Sequence, residues 1–468
     1  MSGESPVQID RDLALETARA ALGSDGDYAD VFCQRRVTAQ VRFEEGKVDD
    51  ISSGVDAGAG VRVIKGDLAA FAHTDALDRD HLMRAAGMAA EALRHAGQGK
   101  KITIVVPSRC APVVCAGEAL DHQVRKVVEL LGSADEAARA LSSEIRQVTA
   151  MHTSAFDEEL LADSTGQVRL ADCRRTRFTV QVVAARDGEA QVGQEAPGAL
   201  AGAEFYDQID VARVAQTAGR RALKMLDARK APTGKMPVVI RSGTGGVLIH
   251  EATGHGLEVD HVHRGASVYE GKIGKKVASN LVSVSDNPTL EGLWGSYPFD
   301  DEGTPSRDTL LIEDGMLREY LYSRHDAMKD GVASTGNGRR QSFRHLPIPR
   351  MSNTYIRPGK SDPLEIVSST PNGLFAQKIG GGQVDTVTGD YVFAVSEGYL
   401  IENGKLGPPV RGAMLIGNGP KTLDIIDAVA DDLGFEEGMC GKDGQWVPVT
   451  TGGPTFRIAE LTVGGTEV

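Results

Sequence analysis

The run Pro237-Val238-Val239-Ile240-Arg241-Ser242-Gly243-Thr244-Gly245-Gly246-Val247-Leu248-Ile249-His250-Glu251-Ala252-Thr253-Gly254-His255-Gly256-Leu257-Glu258 reads as a strand, a glycine turn and a helix. The apolar stretch Val247-Leu248-Ile249 leads directly into His250 and Glu251, so the two polar residues sit at the buried end of an element. An imidazole is a common zinc ligand, and an adjacent glutamate can take a proton from water on the metal. The second histidine, His255, comes five places after the first, where the familiar helical arrangement uses four. At ~100° per residue, five steps carry a side chain ~140° around an ideal helix, and two such rings cannot converge on one ion. Gly254 and Gly256 flank His255 and relax the backbone there. The expectation is a helix that bulges or ends at Gly254.

Taken alone, such a pair also fits a helix end with one buried and one surface histidine. The apolar approach, the position of Glu251 and the acids Glu258 and Asp260 just beyond favour a metal centre. A hydrolytic zinc site needs a third protein ligand and one open position. Glu258, Asp260, His261, His263 and Cys440 are the candidates, and spacing does not choose among them. Cys440 lies in the glycine-rich turn Gly438-Met439-Cys440-Gly441-Lys442-Asp443-Gly444-Gln445, where small neighbours permit close approach and Lys442 would lower the thiol pKa.

Outward from this stretch, 468 residues are too many for one core, so two domains are expected. Before it, helical spacing at 9–22 is followed by strand-like runs at 28–54 and 58–74, helices at 78–96 and 117–143, strands at 144–190 and a helix at 210–228. The polar, Pro- and Gly-containing segment 228–236 marks a boundary, giving domains 1–232 and 233–468. After it, short strands dominate. Asp314-Gly315 and Asn403-Gly404, each between apolar runs, signal hairpins. A further helix is expected at 420–433. The fold class is α+β: an N-terminal layered α/β sheet domain, and a mostly-β C-terminal domain carrying a short metal-binding helix.

Hydrophobic residues make up 41% and charged residues 25%, as in ordinary soluble domains. The net charge of −14 disfavours a nucleic-acid partner. No apolar run reaches the ~18 residues of a membrane span, and no secretory leader is visible. The five cysteines are scattered and odd in number, which does not suggest a disulfide framework and points to the reducing cytoplasm. Cys110 and Cys115 lack nearby ligand partners.

Residues 245–260, GGVLIHEATGHGLEVD, resemble the signature of the TldD branch of the TldD/PmbA metallopeptidase family. STGNGRR (334–340), PRMSNTYIRPG (349–359), GGGQVDTVTGDYVFAVSEGYLIENGK (380–405) and GMCGKDGQWVPVTTGGPTFRI (438–458) agree with that family in order. The resemblance implies one zinc per chain held by His250, His255 and Cys440, with Glu251 as general base. It also implies hydrolysis of small, unstructured or leader-type peptides in extended form. The site would lie inside a closed dimer, either with a second copy or with a TldE/PmbA-like subunit. Trp446 departs from the family, where a small residue is expected after Gly-Gln, and an indole there would narrow the substrate channel.

Weaker expectations rest on side-chain chemistry. Asn337, Arg339 and Arg340 could bind peptide backbone or carboxylate. Asn353, Gly381, Gly382 and Gln383 could line a cleft that takes a peptide by strand addition. Two other functions compete: a zinc amidase or aminopeptidase acting on a small peptide-like metabolite, and a non-catalytic regulator that binds partner proteins. The regulator has no use for Glu251.

Overall fold

The computed structural model describes residues 10–95, 101–105 and 118–465. Cys110 and Cys115 lie outside these residues. The N-terminal half is built on one sheet with the spatial order Lys101–Val105, Leu68–Thr74, Lys47–Lys65, Tyr28–Glu44, Ile145–Asp163, Val168–Arg186, Glu189–Glu195. Its four central strands run 17 to 19 residues. That length lets one face carry two helix pairs side by side. Helices Arg11–Leu22 and Arg79–His95 cover Val31, Val61, Ala72 and Leu160. Helices Glu118–Arg139 and Val211–Leu226 cover Val41, Val148, Phe178 and Val182. Ala14, Ala18 and Ala21 recur at helical spacing on the buried side of the first helix, so it can approach the sheet closely.

The C-terminal half is mostly β. Strands Asn372–Val384, Gly234–Ile240, Phe456–Gly464, Met414–Asn418 and Asp390–Glu402 neighbour one another in that order. Asn372–Val384 also pairs with Asp390–Glu402, which closes the five into a ring. A second sheet has the order Met316–Leu317, Thr309–Glu313, Val284–Asp286, Asn353–Ile356, Gln445–Gly453, Gly434–Lys442. The hairpins expected at Asp314-Gly315 and Asn403-Gly404 are present. Both residues of each turn have positive φ (47° and 82°; 51° and 71°), as a tight two-residue hairpin requires. The helix expected over 420–433 is only Gly419–Asp424. Beyond it Ile426–Val429 is a strand, because Ile426 and Val429 bury themselves while pairing with Ile458 and Phe456. An available strand partner overrides the helical spacing there.

The two halves are docked by side chains that cross between them. Phe343, fully buried, lies over Gly58 and Gly60 of the strand Lys47–Lys65. A Cβ at Gly58 would be 2.3 Å from its ring, so the glycines make the seat. Arg62, 1% exposed, is gripped by Asp30 in its own sheet and donates to Glu302 of the C-terminal half at 2.5 Å. The connection itself passes through Arg229–Lys230, which pairs in parallel with Val410 and Arg411.

Candidate metal centre

The strand Gly234–Ile240 delivers the chain to a glycine turn, and a short α-helical turn, Gly246–Ile249, follows. The backbone then widens into a π turn over His250–Gly254 and tightens again at His255–Leu257. In the π turn the His255 N–H donates to the His250 carbonyl, five residues back, where an α-helix would reach back four. The extra residue absorbs the angular mismatch that the spacing creates, so the two imidazoles meet edge to face with centroids 5.1 Å apart. The bulge runs from His250 to Gly254, as the sequence required. Gly254 permits it: a Cβ there would sit 1.9 Å from the sulfur of the fully buried Met351. In an ordinary helix Gly→Ala stabilises by about 1 kcal/mol. Here overpacking at about 1–3 kcal/mol is the larger effect. Gly254→Ala is therefore expected to lower both the melting temperature and the bound metal per chain; an unchanged or higher melting temperature would contradict this packing.

Cys440 comes from the far side, on Gly434–Lys442, the edge strand of the six-stranded sheet. One ligand atom each from His250, His255 and Cys440 lie within 4.8 Å of one another, and all three residues are buried. The Cys440 sulfur is 3.3 Å from His255 Nε2. Among the described residues, neither ring nitrogen of His250 has a hydrogen-bond partner although both are buried. Leaving such atoms bare is costly, and a metal ion would satisfy them. Burial alone would push the Cys440 thiol up, but His250 and His255 outweigh it and hold it well below the usual thiol range. A thiolate with two imidazoles suits zinc. Glu251 is 3.8 Å from His255 Nε2 and its side chain keeps 30% exposure, so it stands beside the donors and reaches solvent.

The other candidate ligands take different places. Glu258 accepts from His255 Nδ1 at 2.8 Å and from the Met351 N–H at 3.2 Å. It therefore fixes the His255 tautomer that leaves Nε2 free, the carboxylate–histidine arrangement of many zinc sites. Burial would raise its carboxyl, but Lys442 and His255 hold it well below the carboxylate range. Burial likewise would lower His255, yet Glu258 and Cys440 raise it well above an ordinary histidine. Asp260 is held by Lys442 at 2.6 Å. Lys442 thus serves Asp260 and Glu258, and the thiol is tuned by the histidines, a different arrangement from the one the turn suggests. His261 stands 3.9 Å from Glu258, and His263 bonds Asp330.

The weaker expectations divide. Asn337, Arg339 and Arg340 are buried. Asn337 donates to Asp286 and to the Arg350 carbonyl, Arg339 to the Met351 carbonyl, and Arg340 to the Asp301 carbonyl. Asn353 is fully buried and donates to the Asn287 carbonyl and Ser296. These four side chains brace the loops behind the centre and are as buried as His250 and His255. Gly381, Gly382 and Gln383 are exposed on the strand Asn372–Val384, which touches the π turn. Arg350, which sequence reasoning passed over, is fully buried and donates to the carbonyls of Cys440 and Gln445, fixing the strand that presents the thiolate. Its only sequence signal is an arginine inside a motif block. Trp446 pairs with Gly441, on the face of the hairpin opposite to the Cys440–Val447 pair. Its indole lies over Gly441 and does not enter the metal site.

Two imidazoles and a thiol converge as a set that could hold a metal ion, with a carboxylate beside them. Comparison with known proteins agrees. The PmbA/TldA metallopeptidase domain 1, central domain and C-terminal domain match residues 29–93, 118–226 and 233–465. The metalloprotease TldD homolog of Haemophilus influenzae is 39% identical over 456 residues, covering 94% of this chain and 93% of the relative. The zinc metalloprotease TldD homolog of Saccharolobus solfataricus is 27% identical, covering 94% and 96%. The crystal structure of TldE from Thermococcus kodakarensis shares the fold, with a TM-score of 0.77 at 17% identity over 97% of this chain and 99% of that one. The chain belongs to the TldD/PmbA metallopeptidase family.

Proposed function

We propose that this chain is a zinc-dependent peptidase that hydrolyses small, unstructured or leader-type peptides bound in extended form. The convergence of His250, His255 and Cys440 with Glu251 beside them is the observation that carries the reading. His250, His255 and Cys440 would hold the zinc ion, which would supply Lewis acidity and a more acidic water, with a pKa of about 7. Glu251 accepts the proton of the attacking water and passes it to the leaving amine. Glu258 keeps Nε2 of His255 directed at the centre by holding Nδ1. The Cys440 thiolate adds negative charge and softens the Lewis acidity relative to a third imidazole.

An extended substrate has a place to pair. Asn372–Val384 pairs with Gly234–Ile240 only through Leu374, Phe375 and Ala376. Among the described residues, the following Lys378–Val384 edge has no strand partner on that side, and Gly381, Gly382 and Gln383 lie along it. Strand addition there would hold a peptide by its backbone and tolerate varied side chains. The reading includes a closed dimer, with a second copy or a TldE/PmbA-like subunit, and a cytoplasmic setting. The free thiols of Cys33, Cys173 and Cys440 are consistent with that setting. No helix among the described residues is long and apolar enough to cross a membrane.

Metal analysis combined with a peptide-library digest tests the proposal. Zinc should co-purify, cleavage should stop with a chelator and return on adding zinc, and a co-expressed partner subunit should raise the rate. Cleavage confined to dipeptide-sized amides would favour the amidase reading. Chelator-insensitive or absent hydrolysis alongside protein binding would favour the regulator.

A further inference from the structure

We propose that Trp446 and Met439 form an apolar subsite that receives a large apolar or aromatic substrate side chain next to the cleaved bond. The proposal rests on the peptidase reading above. Among the described residues, the strand that carries Cys440, Gly434–Lys442, pairs on one side only, with Gln445–Gly453. Lys442 and Gln445 flank the two-residue turn Asp443-Gly444, both of whose residues have positive φ (49° and 74°). In an antiparallel hairpin closed this way, the even-numbered residues of the strand bond the partner. The odd-numbered ones, Glu437, Met439 and Gly441 among them, turn their N–H and C=O groups outward. The edge beside the metal ligand is therefore open to an extended backbone.

Side chains alternate across that edge. Cys440 faces the histidines and packs with Val447 and Val449. Met439 and the Gly441–Trp446 pair face the other way. Successive residues of a strand are ~3.3 Å apart, so a peptide lying along this edge has a side chain on the Trp446 face one residue from the position opposite the metal. What it meets there is unusual for a surface. Trp446 is 57% exposed and Met439 44% exposed. The indole covers Gly441, whose added Cβ would stand 3.0 Å from the ring, tighter than an ordinary contact, so the glycine leaves the ring room to pack against the backbone. A thioether beside an exposed indole is an adaptable apolar platform that favours aromatic and large aliphatic partners. The occupant is the substrate itself, because the platform is continuous with the strand that supplies the metal ligand.

The test uses the full-length chain with zinc, in whatever assembly it purifies. Peptide series varied in single positions around the cleaved bond, with Phe, Leu, Ser or Asp, are compared for the wild type and Trp446→Ala. One flanking position should prefer Phe or Leu in the wild type. Trp446→Ala should reduce that preference about tenfold, mainly through KM, while Ser and Asp peptides, zinc content and oligomeric mass stay unchanged. A uniform loss across the series, no loss, or a change in oligomeric mass would overturn the proposal, the last by assigning the patch to a contact between chains. Fluorescence provides a readout independent of turnover. The chain has two tryptophans, and Trp294 is 7% exposed, so red-edge emission reports Trp446. In Glu251→Gln, a Phe-containing peptide should shift that emission to the blue and a Ser-containing one should not. Absence of the shift at peptide concentrations that inhibit the wild type sinks the subsite but leaves the peptidase reading intact. Failure of every peptide to be cleaved, bound or to inhibit sinks both.

Discussion

Glu251→Gln is expected to keep its full complement of zinc and lose turnover by about 10²–10⁴-fold, the range a general base contributes. The substitution preserves shape and removes the ability to take a proton. Glu251 lies beside the donors, 3.8 Å from His255 Nε2, and the proposed ligand set does not include it. Cys440→Ala provides the contrast. It removes a donor whose sulfur lies 3.3 Å from His255 Nε2, and most of the bound metal should go with it. Elemental analysis and kcat measured on the same preparations separate the two roles. An active Glu251→Gln would assign the base elsewhere. Full zinc retention in Cys440→Ala would point to His261 or Glu258 as a ligand, against their positions here.

Arg62→Ala is expected to be the most damaging single change to stability. The guanidinium is 1% exposed, and its two partners Asp30 and Glu302 are fully buried. Removing it leaves both carboxylates buried without their main counter-charge. Arg340, 3.9 Å from the other Asp30 oxygen, is too far to replace a direct bond. Breaking a buried pair in this way costs about 3–5 kcal/mol, and for a chain of this length the melting temperature should fall by roughly 3–5 °C. Lys235→Ala, which breaks the exposed pair with Glu460, should leave it nearly unchanged. Equal melting temperatures for Arg62→Ala and the wild type would show that the interface tolerates the loss.

The residues that carry strong local signals were legible in the sequence. Helical spacing located Arg11–Leu22, Arg79–His95 and Val211–Leu226 because each has a continuous apolar face. Asp-Gly and Asn-Gly located hairpins because few other pairs accept positive φ twice in succession. The five-residue gap between His250 and His255 called for a distortion, and the π turn supplies it. Features set by distant partners were not legible. Ile426–Val429 is a strand because of Phe456–Gly464, and nothing local announces that pairing. The internal hydrogen bonds of Asn337, Arg339, Arg340 and Asn353 were not legible either, because polar groups in glycine-rich loops look exposed. In the fold, neighbouring loops close over them and take up their hydrogen bonds. Arg350 escaped notice for the converse reason, since a buried arginine that bonds carbonyls leaves no mark in spacing.

The separation of the donors along the chain has a consequence for synthesis. His255 and Cys440 are 185 positions apart. A polypeptide still emerging from the ribosome carries both imidazoles and the base well before the thiol exists. A chain cleaved anywhere in that interval is left without its third donor. Two imidazoles on a turn bind zinc feebly, whereas the third donor arrives only when the edge strand is in place. On the proposed reading, a chain that lacks Cys440 would hold zinc feebly and would lack hydrolytic competence.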